Sequence, residues 1–169
     1  MAPVDRGWKL RGPVVLLALV WVFAADKTRA DELRSVKPKV EGEIAWYDVR
    51  DWGIEGKGWS DTQRYFDRLP GRAEKIVREP VWVLSRHSAG MLTRFATDAT
   101  ELHVRYTLLD ERLAMPHMPA TGVSGVDLYA ENERGQWRWL AVVLPSEKTI
   151  SKRVVQGLSP GRRRFMLYL

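Results

Sequence analysis

The feature that most constrains this chain is period-two alternation in short runs. Leu102, Val104, Tyr106 and Leu108 alternate with His103, Arg105 and Thr107, and Val126, Leu128 and Ala130 alternate with Asp127 and Tyr129. Phe165, Leu167 and Leu169 repeat the pattern near the end. In an extended chain successive side chains point to opposite faces, so each run buries one face and leaves the other exposed. Turn signals separate the runs: Ala89-Gly90, the polar stretch 131–135, Pro145-Ser146 and Ser159-Pro160-Gly161. Many short strands joined in this way predict an all-β domain, a β-sandwich of jelly-roll type. Further strands are expected over 44–50, 81–86, 91–96 and 136–144. In the last of these, Trp137, Trp139, Ala141 and Val143 should share one face. Residues 61–69 are expected to make one helical turn ended by Pro70-Gly71. Residues 98–115 also carry a helical spacing (Leu102, Tyr106, Leu109, Leu113). The β-branched Val104 and Thr107 favour the strand.

The N-terminus has a different character. Arg6, Lys9 and Arg11 precede an apolar run over 13–25, shorter than the roughly 20 residues a membrane-spanning helix needs, and small residues close it. Residues 1–30 therefore read as a signal peptide, cleaved after Ala24 or Ala30, and the body of the protein is expected to be exported, periplasmic or secreted. A membrane partner is expected only if that signal stays uncleaved as an anchor. Residues 31–43 read as a flexible lead-in and 44–169 as the folded domain. The last apolar strand has no closing polar residues, which leads us to expect truncation at the C-terminus.

Charge and composition exclude several functions. The formal net charge is +6, of which +3 (five Lys/Arg less two Asp/Glu) falls in residues 1–30, leaving a mild +3 on the rest, and the densest basic run, Arg162-Arg163-Arg164, opens an apolar strand and reads as a solvated strand edge. That is no basic stripe with interleaved aromatics, so no nucleic-acid partner is expected. With no cysteine, disulfides, thiolate metal sites and a thiol nucleophile are ruled out. Six of the eight tryptophans lie beyond residue 30. Trp52 and Trp59 sit in a glycine-rich loop with Gly53, Gly56 and Gly58, where they either stack on a sugar ring or tuck into the core.

Residues 115–125 form the most distinctive loop. Pro116 and Pro119 fix φ and remove two backbone donors, so the stretch should be ordered and irregular, neither helix nor central strand. His117 sits between the two prolines, with Thr121 just beyond. A rigid loop feeding a strand is a common way to present side chains. His117 either contacts a ligand or a neighbouring cleft, or bonds backbone to hold the loop. Asp127 and Tyr129 are expected to brace the loop. Arg86 and Ser88, flanking His87 at a strand end, are candidates for ligand or interface contact, against salt-bridging or turn-making roles.

A hydrolase constellation is not legible. Gly122-Val123-Ser124-Gly125 is no nucleophile elbow, because Gly-x-Ser-x-Gly needs its second glycine one position later. The three histidines do not stand in metal-binding spacing, and no phosphate-binding glycine loop occurs, so neither a metal nor a cofactor is expected.

Gly125-Val126-Asp127-Leu128-Tyr129 resembles the Gly-x-Asp-Leu-Tyr motif that names the N-terminal domain of a group of SGNH-type (GDSL-like) esterases. Glu55-Gly56-Lys57-Gly58-Trp59, residues 65–70, residues 81–90 and Trp137-Arg138-Trp139 are similar to the same family in the same order, over residues 46–169. The resemblance implies a small β-sandwich in front of a separate hydrolase domain. Those hydrolases carry a Gly-Asp-Ser block and an Asp-x-x-His block, and this sequence contains neither. The resemblance thus implies a non-catalytic accessory domain that packs on a hydrolase domain in cis and shapes its cleft, with an acylated carbohydrate as the implied substrate. A free-standing carbohydrate-binding module using Trp52 and Trp59, and a cryptic hydrolase, remain alternatives.

Overall fold

The computed structural model describes residues 36–169, and the expected signal peptide lies outside them. Eight strands and three short helices follow in the order β1 (Lys39–Glu41), β2 (Ile44–Trp46), α1 (Val49–Trp52), α2 (Glu79–Ser85), β3 (Leu92–Thr97), β4 (Leu102–Thr107), α3 (Ala120–Val123), β5 (Val126–Glu131), β6 (Trp137–Val143), β7 (Thr149–Val155) and β8 (Arg163–Tyr168). The all-β expectation holds for a chain that is mostly strand with few helices. All strand pairs are antiparallel: a sheet in the order β3-β8-β5-β6, a pair β4-β7 and a hairpin β1-β2.

The core lies between the four-stranded sheet and β4-β7. Val126, Leu128, Val143, Phe165 and Leu167 come from the first and Ile150 from the second, with Leu102, Val104 and Tyr106 of β4 packed against them. Phe95 stacks on the fully buried Phe165 at 5.6 Å between ring centroids, a pairing that contributes about 1 kcal/mol beyond its buried area. The alternation read in β4, β5 and β8 is therefore the inward–outward alternation of the fold. On the other side of β4, Arg105 reaches the β1-β2 hairpin, lying 4.0 Å from the Trp46 ring centroid and pairing with Glu41 at 2.9 Å. Arg105 first, and Lys39 after it, hold the Glu41 carboxyl down at about 2.

The structure corrects several local expectations. Residues 81–86 are not a strand: they lie in and just after helix α2. Pro80 suits a first helical turn because it needs no donor there, and Glu79 faces the positive end of the helix. Trp82 and Ser85, three apart, both turn inward. The helical turn expected over 61–69 appears after Pro70 instead, as a 3-10 turn over Gly71–Lys75. The strand expected over 44–50 stops at Trp46, because Asp48 caps α1 by accepting from the Arg50 backbone N–H at 2.9 Å. Part of the expected lead-in, Lys39–Glu41, is itself strand β1. The proline-rich loop closes with one helical turn, α3.

The remaining correction concerns the two tryptophans of β6. Leu128 pairs with Ala141 but Tyr129 pairs with Trp139, so Leu140 is an extra residue in β6. Such a bulge changes which face the following residues take. Ala141 and Val143 accordingly stay with the core, while Trp137 and Trp139 turn outward beside Glu131 and Tyr129.

Two glycines fix the ends of loops. A Cβ on Gly56 would collide with the carbonyl oxygen of Gly90, and Glu55 and Leu92 exchange hydrogen bonds of 2.8 and 3.1 Å next to this crossing. Residues 56–91 thus leave the edge of β3 and return to it. A Cβ on Gly125 would run into the Thr121 carbonyl oxygen and stand 2.8 Å from that of Val143, both backbone atoms. At Gly122 the nearest atom is the flexible Met118 Cγ, at 3.1 Å. Gly125→Ala is therefore expected to destabilise the domain by about 2 kcal/mol or more, and Gly122→Ala by well under about 1 kcal/mol. Thermal denaturation of the two variants checks the difference, and equal melting temperatures would contradict the packing at Gly125.

Candidate functional site

The loop before β5 is rigid at its tip. Met115 and Met118 exchange backbone hydrogen bonds of 2.9 and 3.1 Å, which places Pro116 and His117 at the centre of a tight turn. The His117 side chain is exposed there. Pro119 then starts α3, its carbonyl accepting from the Gly122 N–H at 3.0 Å, and the half-buried Thr121 lies on this turn. The loop is held from the opposite sheet. The Tyr106 hydroxyl donates to the Ser124 carbonyl at 2.9 Å, one residue before Gly125. Burial pushes the Tyr106 phenol up to about 12.

The two candidate tryptophans are placed differently. Trp52 donates its indole N–H to the buried Thr93 hydroxyl at 2.6 Å and meets Phe95 edge-on, at the border of the core. Trp59 is 45% exposed, with the Arg72 guanidinium 5.0 Å from its ring centroid. It borders an open depression of about 550 Å³ lined by Ile54, Lys57, Gly58, Ser60 and Tyr65 as well. Lys57 spans this depression, donating to the Tyr65 carbonyl at 2.5 Å and lying 4.6 Å from the Tyr65 ring centroid. Arg86 and Ser88 serve the interior of the same excursion. Arg86 faces the fully buried Asp67 at 3.5 Å and packs on Trp82, and the Ser88 carbonyl accepts from the Met91 N–H. Asp67 in turn accepts from the Arg64 backbone N–H at 3.0 Å.

Asp127 and Tyr129 point out of the sheet, away from the core. Asp127 accepts the Trp139 indole N–H at 2.8 Å, so its bond is to β6 rather than to the loop. The structure therefore does not gather the sequence candidates into one site. His117 and Thr121 occupy the loop, Trp59 the depression, Arg86 and Ser88 the excursion, and Trp52 the core border, while Asp127 and Tyr129 lie on the outer sheet.

Two functional features went unnoticed in the sequence. Tyr106, read only as a core position, is the tether of the loop. Arg162-Arg163-Arg164, read as a solvated edge, joins Arg134 and Arg138 around an opening of about 760 Å³ beside Glu131 and Glu133. Their meeting depends on β8 running beside β5, which local pattern does not reveal.

Chemically, the described residues offer recognition surfaces. The side-chain hydrogen bond of a histidine found among them is His103 Nε2 to Glu101, at 3.0 Å. No group of three histidines or carboxylates among the described residues is placed to hold a metal ion. The fold and site thus define a strand-rich module that presents side chains from a braced loop and an outer sheet face. The chain belongs to the GxDLY family, the N-terminus of SGNH-hydrolase-type esterases, whose model matches residues 44–169. It is also similar in fold to a solved protein from Bacteroides ovatus ATCC 8483 described as a GDSL-like lipase, with 23% identity and a TM-score of 0.63. The match covers 69% of this chain and 34% of that one, so the chain spans about a third of its solved neighbour. No curated protein matches.

The tether gives a titration with a definite sign. Folding favours the neutral Tyr106 phenol, so its contribution is intact below the ordinary tyrosine value near 10 and is lost as pH climbs towards 12. Of the five tyrosines, one is expected to ionise near pH 12 in an absorbance titration of the folded chain, and Tyr106→Phe should remove that step. The same variant should lose about 1 kcal/mol of stability with its hydrogen bond to Ser124. An unchanged titration curve would show that Tyr106 is not the late phenol.

Proposed function

We propose that this chain is a non-catalytic accessory domain of an exported SGNH-type esterase. It packs on the hydrolase domain that follows it in cis, presents the loop at His117 to the hydrolase cleft, and helps that cleft accept an acylated carbohydrate. The observation that carries this reading is the family match, which takes in every strand from β2 to β8 as a single unit. The geometry agrees with it. His117 is exposed on a turn held by two prolines and two backbone hydrogen bonds, a placement suited to contact with something outside the domain. The sheet arrangement, with a four-stranded layer facing β4-β7 across one core, supports a jelly-roll sandwich, and residues 1–30 supply the export signal.

Sequencing the gene beyond the codon for Leu169 tests this reading. The expected result is a frame that runs into a Gly-Asp-Ser block and, near its end, an Asp-x-x-His block. A gene neighbourhood with no such frame would end the proposal.

A second reading is favoured by one observation. Trp59 stays 45% exposed above a depression that also offers Tyr65 and Lys57, an aromatic and cationic lining suited to a sugar face. In that case oligosaccharides quench the tryptophan fluorescence of the chain alone, and Trp59→Ala abolishes the quenching.

For the accessory reading, His117→Ala should leave the melting temperature of the domain unchanged. In the two-domain esterase it should lower kcat/KM by roughly tenfold, about 1.4 kcal/mol of lost transition-state binding. A drop in melting temperature with unchanged kinetics would assign His117 to the loop's own stability.

A further inference from the structure

The outward face of the four-stranded sheet is unusually rich in side chains that protein interfaces favour. The inward face is spent on the core. The outward face carries Trp137 and Trp139 of β6, Asp127 and Tyr129 of β5, and Met166 and Tyr168 of β8. Trp139 is 57% exposed and Tyr168 is 40% exposed. Tryptophan, tyrosine, methionine and arginine are the residues enriched where one protein buries another.

We propose that this face is the seat of the hydrolase domain, with Asp127, Tyr129, Trp139 and Tyr168 at its centre. The inference rests on the accessory-domain reading and specifies the surface that reading requires. Three observations carry it. The motif from which the family takes its name spells Gly125, Asp127, Leu128 and Tyr129 here. Gly125 and Leu128 are used inside the domain, one for a close backbone approach and the other for the core. Asp127 and Tyr129 point away from that core. A strand can be formed by many residue types at such positions, and here Asp127 holds Trp139 on the outer face while Tyr129 pairs beside it, so the outward half of the motif builds this face and not the core.

The second observation is position in the chain. Tyr168 pairs directly with Asp127 in the sheet, and Leu169 follows it, bonded to the Met91 carbonyl at 2.9 Å. Any chain continuing past Leu169 leaves from the end of the sheet that carries Asp127 and Tyr168.

The third is that the face is already ordered. Trp139 is fixed by its 2.8 Å bond to Asp127. Trp137 lies with its ring centroid 5.7 Å from the Arg94 guanidinium and 6.0 Å from that of Arg164, and Glu131 pairs with Arg164 at 3.0 Å. Side chains held in place before binding lose little entropy when covered. Arg94 is likewise paired within the domain, with Glu55 at 3.1 Å, so the charges at the rim of this face are compensated before anything covers it.

Oxidative footprinting tests the proposal by comparing the 169-residue chain with the two-domain protein. Labelling of Trp139 and Tyr168 is expected to fall several-fold when the hydrolase domain is present. Tyr129→Arg, which changes no core contact, should leave the melting temperature of the chain alone unchanged while splitting the single thermal transition of the two-domain protein into two. Unchanged labelling of Trp139 and Tyr168, with protection instead at the exposed Ile76, Val83 and Leu84 around α2, would overturn this face while leaving the accessory reading standing. Unchanged labelling across the whole domain would overturn both. Protection of Trp139 by oligosaccharide in the chain alone would make the face a sugar platform and overturn its assignment to the hydrolase.

Discussion

The fold depends on a place where there is no room. The backbone at Gly125 passes between the carbonyls of Thr121 and Val143, so loop, strand and neighbouring strand are locked together at one point. From that point β5 runs with Val126 and Leu128 inward, and β8 packs Phe165 and Leu167 alongside. The loop in front inherits the rigidity of the strand behind it. Tyr106 adds a second point of attachment from the opposite sheet, so the proline-rich tip is positioned from two layers rather than one.

Much of this was legible where local pattern and tertiary environment agree. The alternation of β4, β5 and β8 survives because each strand faces the core on one side only. The five-residue turn into β6 is read correctly because its length and polarity suffice to make a hairpin. Legibility fails where the environment decides. Val81, Trp82 and Val83 look like a strand by composition, yet Pro80 and the inward turn of Trp82 and Ser85 make a helix. Leu140 carries no mark of being an extra residue, so the outward turn of Trp137 and Trp139 emerges only from pairing with β5. The family motif was legible as letters, but which letters serve the core could be decided only from strand register.

The candidate residues divide along the same line. His117 was singled out by its prolines, a local signal, and it does occupy an exposed turn. Trp52 and Trp59 looked alike in a glycine-rich stretch, yet one donates its indole to Thr93 at the core border and the other stays in the open. Arg86 owes its position to Asp67, a partner that sequence spacing does not identify. Its ion pair braces residues 56–91 from inside, and burial of such a charge makes the pair costly to break.

The excursion over residues 56–91 has one more property. Both of its ends meet the sheet at a single rung, where Glu55 faces Leu92 and Gly56 crosses Gly90. Its internal bonds, among them Arg68 to the Ser85 carbonyl and Gly71 to the Asp61 carbonyl, close within the segment itself. Such a segment is a cassette: its length and contents can change without altering the register of β3. The strands and this cassette are thus braced separately and joined at the Glu55–Leu92 rung.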